Sequence, residues 1–256
     1  MKICVLIKQV ASEDSPIILN DNQSGVNLDS LNLVTNEPDS YALEEALKIK
    51  ESTSGEAVVC TLGPESSHQV IKDALAKGAD RAIHILYNEI DKLSPLNIAK
   101  NIAKQIKDEK FDLILSGLQS NDFGYSQIGI LLSELLNCSH GSLVMGTELI
   151  SDNTIKVKRE LENGWFQWSE LDLPASLTIQ SGINEQRYAN LKGIMSVINK
   201  TIDKIDLNDC AIIDNGYEVE KIEVPSRSKE THIIEGSPDD IAEELANVLK
   251  NKLKVI

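Results

Sequence analysis

Short apolar runs alternate with amphipathic segments through the first half of the chain, and this alternation restricts the possible folds more than any other feature. Each apolar run has the length and residue types of a buried strand, and each amphipathic segment has helical spacing. Strands that alternate with helices predict βαβ crossovers and therefore a parallel sheet. The strands are expected at 2–10, 56–63, 81–86 and 111–117, and the helices at 39–52, at 66–77, from Ser94 and Pro95 onward, and at 125–136.

The second half of the chain opens with consecutive strands instead of alternating elements. Asn163 and Gly164 tolerate the positive φ angles of a type I′ turn and predict a hairpin. The strands are expected at 142–150, 154–161 and 165–173, and a run at 174–180 could return to the main sheet. On the hairpin, Trp165 and Trp168 alternate with polar residues and form either an interface patch or a covered sheet face.

The last part of the chain divides into a polar segment and a helix. Residues 181–237 are polar with little periodicity, which in a compact domain indicates a segment lying on something else, most naturally a partner subunit. Ser237, the acidic Asp239 and Asp240, and the basic end at Lys254 suit the dipole of a helix that follows this segment.

The charge of the chain excludes several classes of partner. Its 40 acidic and 25 basic residues give a net charge of −15, which repels nucleic-acid phosphates and anionic membrane surfaces. No apolar stretch reaches the roughly 18 residues of a membrane helix, and the N-terminus lacks the pattern of a signal peptide. We therefore expect a cytoplasmic protein that binds no nucleic acid and does not insert into a membrane.

The cysteines and histidines form no recognisable site. Cys4, Cys60, Cys138 and Cys210 lie far apart without a CxxC pair, and we interpret them as reduced, mostly buried side chains. The histidines show neither HxxH nor HExxH spacing, and no Ser/His/Asp or Cys/His arrangement can be assembled. We expect no catalytic residue and no metal ligand.

A ligand is expected at the carboxyl ends of the parallel strands, where open α/β sheets bind their ligands. The segment from Gly117 to Gly129 joins a buried strand to a helix, and its Gly, Ser and Asn residues let backbone N–H groups converge on an anion. It is either a phosphate cradle or an ordinary connector, since neither GxGxxG nor a P-loop motif occurs. Residues 36–39 either contribute to such a ligand site or are simply the capped start of a helix with an X-Pro turn.

Six segments, in their order and spacing, resemble the β (small) subunit of electron-transfer flavoproteins. They are KICVLIKQV (2–10), NEPDSYALEEALKIKE (36–51), TLGPESSHQVIKDALAKGADRAI (61–83), DLILSGLQSNDFGYSQIG (112–129), KRELENG (158–164) and LPASLTIQSGINEQRYANLKGIM (173–195). The last is the most specific, because an INExRYANLxGIM-like run after a strand and a proline is the signature of the family. Within the family, the chain is most similar to the type paired with trimethylamine dehydrogenase.

The resemblance implies an electron carrier, not an enzyme. In such heterodimers the large (α) subunit holds most of an FAD near the subunit junction, and the small subunit holds a structural AMP. The FAD accepts electrons from a flavin-dependent dehydrogenase. The expected fold is a parallel-sheet nucleotide-binding fold of the adenine nucleotide α-hydrolase or universal-stress type with an added β-hairpin. Residues 1–205 would form this AMP-binding domain with a recognition loop at 184–195, and residues 206–256 an extended C-terminal arm and helix contacting the partner subunit.

The family's AMP contacts match strand ends and one loop in this chain. Asn36 to Asp39 match an adenine-edge and ribose region, and Ser126, Gln127 and Gly129 match phosphate ligands. The full set implied by the resemblance is Leu6, Asn36, Glu37, Pro38, Asp39, Leu62, Asp122, Phe123, Gly124, Tyr125, Ser126, Gln127, Ile128, Gly129, Ile130, Leu131, Leu132 and Ser133.

Partner contacts are implied at two further places. Leu191 matches a leucine that anchors the recognition loop in an apolar pocket of the dehydrogenase, although on sequence alone it could be a core leucine. The matching loop residues are Arg187, Tyr188, Ala189, Asn190 and Leu191. Glu160 matches a glutamate that pairs with an arginine of the large subunit and steadies the flavin domain.

Two other functions compete with the simple carrier. A bifurcating subunit would hold a second FAD in the AMP pocket and typically carries a Thr-Ala-Gln-Val-Gly-Pro-like loop, which Tyr125 to Ile130 match only partly. The family's acidic cluster in this loop is replaced by Asp122 to Tyr125. A stand-alone adenine-nucleotide-binding regulator of the universal-stress type would have no use for residues 181–237. AMP is therefore the favoured ligand.

Overall fold

A computed structural model describes residues 1–21, 25–27, 30–90, 93–207, 220–225 and 231–255. The chain forms two compact units, Met1–Lys221 and Ile222–Ile256. The first unit extends past residue 205, where the sequence placed the end of the α/β domain. Cys210 and residues 208–219 and 226–230 of the predicted arm lie outside the described residues.

The first unit is built on one mostly parallel sheet of nine strands. Its strands are β1 (Lys2–Leu6), β4 (Glu56–Gly63), β5 (Arg81–Leu86), β6 (Leu113–Gly117), β7 (Ser139–Ser151), β8 (Thr154–Glu160), β9 (Phe166–Asp172), β10 (Ala175–Ile179) and β11 (Ile202–Asp206), and a separate ribbon pairs β2 (Gln9–Ala11) with β3 (Leu33–Thr35). The strand order in the sheet is β11-β5-β4-β1-β6-β10-β7-β8-β9, and of these strands only β7, β8 and β9 pair in antiparallel fashion. The helices of this unit are α1 (Glu37–Thr53), α2 (His68–Lys77), α3 (Pro95–Ile106), α4 (Ile128–Leu136) and α5 (Leu191–Ser196).

The central strands are buried on both faces, as their continuous apolar sequences predict. Side chains alternate between the two faces, so Ile3 and Val5 pack in a core with α1 and α2, whereas Cys4 and Leu6 pack in a second core with α3 and α4. Cys60 lies with Cys4 in the second core, and both are buried free thiols. The predicted α/β fold with a parallel sheet is confirmed.

Local signals placed most elements of the first half correctly. Strands β4 and β5 have the predicted bounds, and the Ser94 side chain caps α3 by accepting from the Asn97 N–H. The predicted strand 2–10 is interrupted at Ile7 and Lys8, because β1 ends at Leu6, the Lys8 N–H donates to the carboxylate of Asp39, and Gln9 and Val10 belong to the separate strand β2. The fourth predicted helix, expected at 125–136, begins at Ile128, three residues later than expected.

The hairpin and the return strand also agree with the sequence. Asn163 and Gly164 both have positive φ, and the Trp165 N–H donates to the Glu162 carbonyl across them, so the predicted turn is confirmed. Strand β10 returns to the sheet between β6 and β7.

The described part of the segment 181–237 contains a helix and a strand that the sequence did not predict. Helix α5 begins directly after Asn190, and β11 joins the sheet beside β5. Leu207, directly after β11, is fully buried in the second core. The first part of this segment therefore packs on its own sheet, and the expectation that all of it lies on a partner is wrong there.

The second unit contains the predicted terminal helix. Helix α6 (Pro238–Asn247) begins with a capping box between Ser237 and Asp240 and continues as a π-helical turn, Val248–Lys252. Among the helices of the described residues, none combines the length and apolar character needed to cross a membrane.

Candidate functional site

A cavity lies at the carboxyl ends of β1, β4 and β6, and we call it the strand-end cavity. Here the chain order switches direction, because β4 follows β1 on one side and β6 lies on the other. Such switch points are where open α/β sheets bind ligands. The apolar part of the wall includes Leu6, Cys60, Leu62, Leu93, Ile98 and Ile102, and the polar part includes Lys8, Asn36, Asp39, Ser116, Gln119 and Ser126.

Asn36 joins three loops around the cavity. Its side-chain N–H donates to the Gln119 carbonyl (2.9 Å), and its side-chain oxygen accepts from the Asn121 N–H (2.9 Å). Its backbone N–H donates to the Lys8 carbonyl (2.9 Å). The predicted helix start is confirmed, since Asn36 is the N-cap residue of α1, but within the described residues its side chain makes no capping bond and instead binds the neighbouring loop.

Asp39 fixes the start of α1 against the end of β6. Its two carboxylate oxygens accept from the backbone N–H groups of Lys8 (2.8 Å) and Gly117 (2.9 Å). Burial raises the pKa of Asp39 to about 7, although these hydrogen bonds act in the opposite direction. A Cβ at Gly117 would lie 2.5 Å from an Asp39 oxygen and 2.6 Å from Cβ of Pro38, so this contact requires glycine.

The N-terminus of α4 faces the cavity. The first turn of a helix leaves backbone N–H groups without partners inside the helix, and the helix dipole makes this end an anion site. Ser126 and Gly124 have positive φ (54° and 63°), which turns the loop into the helix. A Cβ at Gly129 would lie 2.4 Å from Cγ2 of Thr178, so glycine allows α4 to approach the sheet closely.

Ser116 is a cavity residue that was not singled out from the sequence. It is 6% exposed, and among the described residues its hydroxyl has no hydrogen-bond partner. The hydroxyl oxygen lies 3.0 Å from the position a Cβ would take at Gly129, so it sits beneath the first turn of α4. A buried hydroxyl without a partner is costly, and a ligand oxygen at this place would satisfy it. In the sequence, Ser116 looks like any serine in a buried strand.

Charged and aromatic side chains lie at the mouth of the cavity. The Lys8 ammonium is 2.6 Å from Oδ2 of Asp122 and 4.6 Å from the ring centroid of Phe123. The rings of Phe123 and Tyr125 stack with their centroids 5.6 Å apart. Burial is the largest single effect and would raise the pKa of Asp122, but the charge of Lys8 and the hydrogen bonds from Lys8, Ser120 and Phe123 together outweigh it and lower that pKa below its ordinary value.

The predicted contact residues divide into two groups. Those that line the cavity are Leu6, Asn36, Asp39, Leu62, Phe123, Tyr125, Ser126, Gln127 and Ile128. The others surround it: Glu37 is exposed on α1, Pro38 packs against Gly117, Asp122 and Gly124 lie in the mouth loop, and Gly129, Ile130, Leu131, Leu132 and Ser133 belong to α4. The apolar wall, the polar edge and the helix N-terminus fit the base, the sugar and the phosphate of a nucleotide respectively.

A second feature is an apolar surface on residues 184–200, which we call the exposed segment. Tyr188 is 94% exposed, Leu191 74% and Ile198 89%, and Ile194 and Met195 are also exposed. The interpretation of Leu191 as a core leucine is therefore wrong. Ala189 is half-buried, and Asn190 caps α5 by accepting from the Gly193 N–H (2.8 Å). Contiguous apolar exposure of this kind marks an interaction surface.

The hairpin carries a further exposed patch. Trp165 is 72% exposed and Trp168 is half-exposed, so the covered-face interpretation fails within the part of the chain that the structure describes. Lys156 lies 5.0 Å from the ring centroid of Trp168. Glu160, at the end of β8, accepts from the Gln180 side chain (2.9 Å).

Comparison with known proteins gives a consistent result. Residues 26–210 match the family model described as electron transfer flavoprotein domain. The electron transfer flavoprotein subunit beta of Methylophilus methylotrophus is 34% identical over 260 residues, which cover 98% of this chain and 97% of that protein. The proteins of the same name from Bacillus subtilis (strain 168) and Homo sapiens are 30% and 31% identical, and the matched regions cover 100% and 94% of this chain and 100% and 96% of those proteins.

Proposed function

The chain belongs to the electron transfer flavoprotein family, and on this premise we propose that it is the small subunit of a heterodimeric electron carrier with no substrate reaction of its own. The observation that carries the proposal is the strand-end cavity, where the α4 N-terminus and the buried Ser116 hydroxyl converge. We assign AMP to this cavity and FAD to the junction with a large (α) subunit that holds most of it.

The cavity supports a mononucleotide through three kinds of contact. Leu6 and Leu62 provide apolar surface for the adenine, and Asn36 lies where the polar edge begins. The phosphate would bind the first-turn N–H groups of α4, which have no acceptor inside the helix, and the Ser116 hydroxyl, which has no partner among the described residues. AMP in this place would join β1, β6, α1 and α4, which suits a structural role.

The mouth of the cavity favours AMP over a second FAD. The Lys8–Asp122 ion pair and the stacked rings of Phe123 and Tyr125 lie between the cavity and solvent. A dinucleotide would have to extend its second half past these groups, whereas AMP leaves the ion pair in place.

The exposed surfaces support roles in docking. Electron transfer between two flavins needs their close approach, and the protein supplies the docking and tunes the flavin. We assign Arg187 to Leu191 to a donor flavin dehydrogenase of the trimethylamine dehydrogenase type, and Glu160 and the C-terminal unit to the large subunit. Because a few residues carry most of the binding energy of an interface and Leu191 is 74% exposed, Leu191 is the expected centre of the donor contact. We place the carrier in the cytoplasm.

The proposal is tested by purifying the chain together with its large subunit and recording flavin reduction. The expected result is a heterodimer with one FAD whose absorbance bleaches when trimethylamine dehydrogenase and trimethylamine are added. Bleaching only with another flavin dehydrogenase would change the donor and leave the carrier role intact. A monomeric chain that acquires no flavin partner would contradict the carrier role.

A further inference from the structure

The exposed segment is held at both of its ends by the helices of the nucleotide-binding unit. Between these ends, Tyr188 and Leu191 stand almost free of the rest of the unit. An anchor residue binds tightly only if its backbone is already ordered, because ordering a loop on association costs free energy. The contacts that hold the segment are therefore as important for docking as the anchor itself.

Arg187 forms the first attachment. Its Nε and Nη2 atoms donate to the two carboxylate oxygens of Glu44 (2.7 and 3.0 Å), and its backbone N–H donates to Glu44 as well (3.2 Å). The same guanidinium donates to both oxygens of Glu51 (2.5 and 3.3 Å). Hydrogen bonds first to Glu44 and then to Glu51 raise the pKa of Arg187 above its ordinary value.

Glu44 depends on this arginine. Its side chain is only 5% exposed, and a buried carboxylate needs a charged partner and hydrogen bonds. Lys48 lies four residues further along α1, at the spacing of a helical ion pair, but in the described ion pairs Glu44 binds Arg187. The planar guanidinium can bind the carboxylates of Glu44 and Glu51 together, which a lysine ammonium does less well.

Asn184 forms the second attachment on α1. Its side-chain amide donates to the Tyr41 carbonyl (3.1 Å) and to Oε2 of Glu45 (3.0 Å). The other oxygen of Glu45 accepts from the Thr147 hydroxyl of β7. The start of the exposed segment is thus connected through α1 to the sheet.

The far end of the segment is attached to α2. A Cβ at Gly193 would lie 2.1 Å from the Ala76 carbonyl oxygen, so α5 touches the end of α2. The Lys200 ammonium donates to the carbonyls of Leu75 (2.8 Å) and Ala79 (2.6 Å), where the helix dipole favours a positive charge. Both ends of the apolar surface are therefore fixed.

We propose that Arg187 is a positioning residue, which sets the direction of Tyr188 and Leu191 through Glu44 and Glu51 and does not itself bind the dehydrogenase. This inference rests on the docking role proposed above and changes the part played by one residue of the matched loop. Since α1 begins directly after Asn36 and carries Asp39, the same helix positions the docking surface and the strand-end cavity.

The test uses the purified heterodimer and two measurements. Hydrogen–deuterium exchange reports the order of residues 185–192, and steady-state kinetics with trimethylamine dehydrogenase report KM and kcat separately. The variants are Arg187→Ala, Arg187→Lys and Glu44→Gln, with Lys48→Ala as the matched control. Lys48 is exposed on the same helix, so its removal takes one positive charge from α1 without touching the Arg187 contacts.

The expected result is an ordered series. In Arg187→Ala, exchange in residues 185–192 should be about tenfold faster and KM about tenfold higher, with kcat and nucleotide content unchanged. The exchange rate and KM of Arg187→Lys should lie between those of this variant and the wild type, because lysine keeps the positive charge but lacks the planar guanidinium that binds both carboxylates. Glu44→Gln should raise KM although Glu44 is buried. Lys48→Ala should match the wild type.

Three outcomes would overturn the inference. Exchange equal to the wild type in Arg187→Ala would show that the ion pairs do not order the segment. A raised KM in Arg187→Ala combined with a normal KM in Glu44→Gln would show that Arg187 contacts the dehydrogenase directly. Faster exchange with an unchanged KM would show that docking needs no order. The exchange measurement requires no electron donor. If trimethylamine dehydrogenase is not a suitable donor, even the wild-type carrier will not be reduced, and this case is therefore distinguishable from a failure of the inference.

Discussion

The strand-end cavity and the exposed segment use the same helix in opposite ways. At its N-terminal end, α1 holds polar groups in a buried place, and Asn36 and Asp39 find their partners in backbone groups of neighbouring loops. Toward its C-terminal end, α1 binds Arg187 and thereby holds apolar groups in an exposed place. Buried polar groups and exposed apolar groups both mark functional surfaces, because folding alone favours neither.

The largest expected effect comes from disrupting the close contact of β6 with α1 at the cavity. Gly117→Ala places a methyl group against Asp39 and Pro38, so the backbone of β6 or α1 must move. We expect loss of bound nucleotide and a decrease of about 3 kcal/mol in the free energy of unfolding, measured by denaturant titration. Gly146→Ala is the control, since its nearest neighbour would be Cβ of Lys158 at an ordinary 3.4 Å. Full nucleotide content in Gly117→Ala would refute this account of the contact.

The second prediction removes the anchor and leaves the cavity intact. Leu191→Ala should weaken docking to the donor dehydrogenase by about 2 kcal/mol, which is about thirtyfold in KM, because truncating one of the few residues that carry most of the binding energy costs at least this much. Flavin and nucleotide contents should stay at wild-type levels. Ile150→Ala, which truncates an exposed residue of the hairpin, controls for general loss of apolar surface. An unchanged KM for Leu191→Ala would remove Leu191 from the anchor role.

The third prediction separates ligand binding from folding within the cavity. Ser116→Ala removes a hydroxyl that has no partner among the described residues, so the nucleotide-free chain should be as stable as the wild type or slightly more stable. AMP affinity, measured by calorimetry on the nucleotide-free chain, should fall about tenfold through the lost hydrogen bond. Ser176→Ala should show the reverse pattern, with a larger loss of stability than of AMP affinity. The Ser176 hydroxyl donates to the Gly129 carbonyl (2.9 Å) and thereby stabilises α4. Equal affinities of wild type and Ser116→Ala would exclude Ser116 from the site.

The last prediction concerns the pH dependence of stability. Burial raises the pKa of Asp39 to about 7, whereas an unfolded aspartate titrates near roughly 3.9. The native state therefore keeps a proton that the unfolded state has lost between these pH values, and the contribution of Asp39 to stability falls as pH rises from about 4 to 7. The unfolding free energy of the wild type minus that of Asp39→Asn, whose neutral amide does not titrate, should be highest near pH 4 and fall toward pH 7. A value that rises toward pH 7 would contradict the raised pKa.

The sequence predicted the two regions to different extents, for physical reasons. The strands and helices of the first half depend on local periodicity, and the expected cavity depends on strand ends that any parallel sheet brings together. The Arg187–Glu44 pair joins residues 143 positions apart, and no local pattern identifies it. Strand β11 is short and polar and is stabilised by its place beside β5, so it too could not be found from its own residues.

The identity of the bound nucleotides tests the central claim most directly. The purified heterodimer would be denatured, and every released nucleotide would be identified and counted by chromatography and mass spectrometry. We predict one AMP and one FAD per heterodimer, with the AMP retained when the chain is isolated from the large subunit. Two FAD molecules and no AMP would contradict the assignment of the strand-end cavity and would move the protein to the bifurcating type.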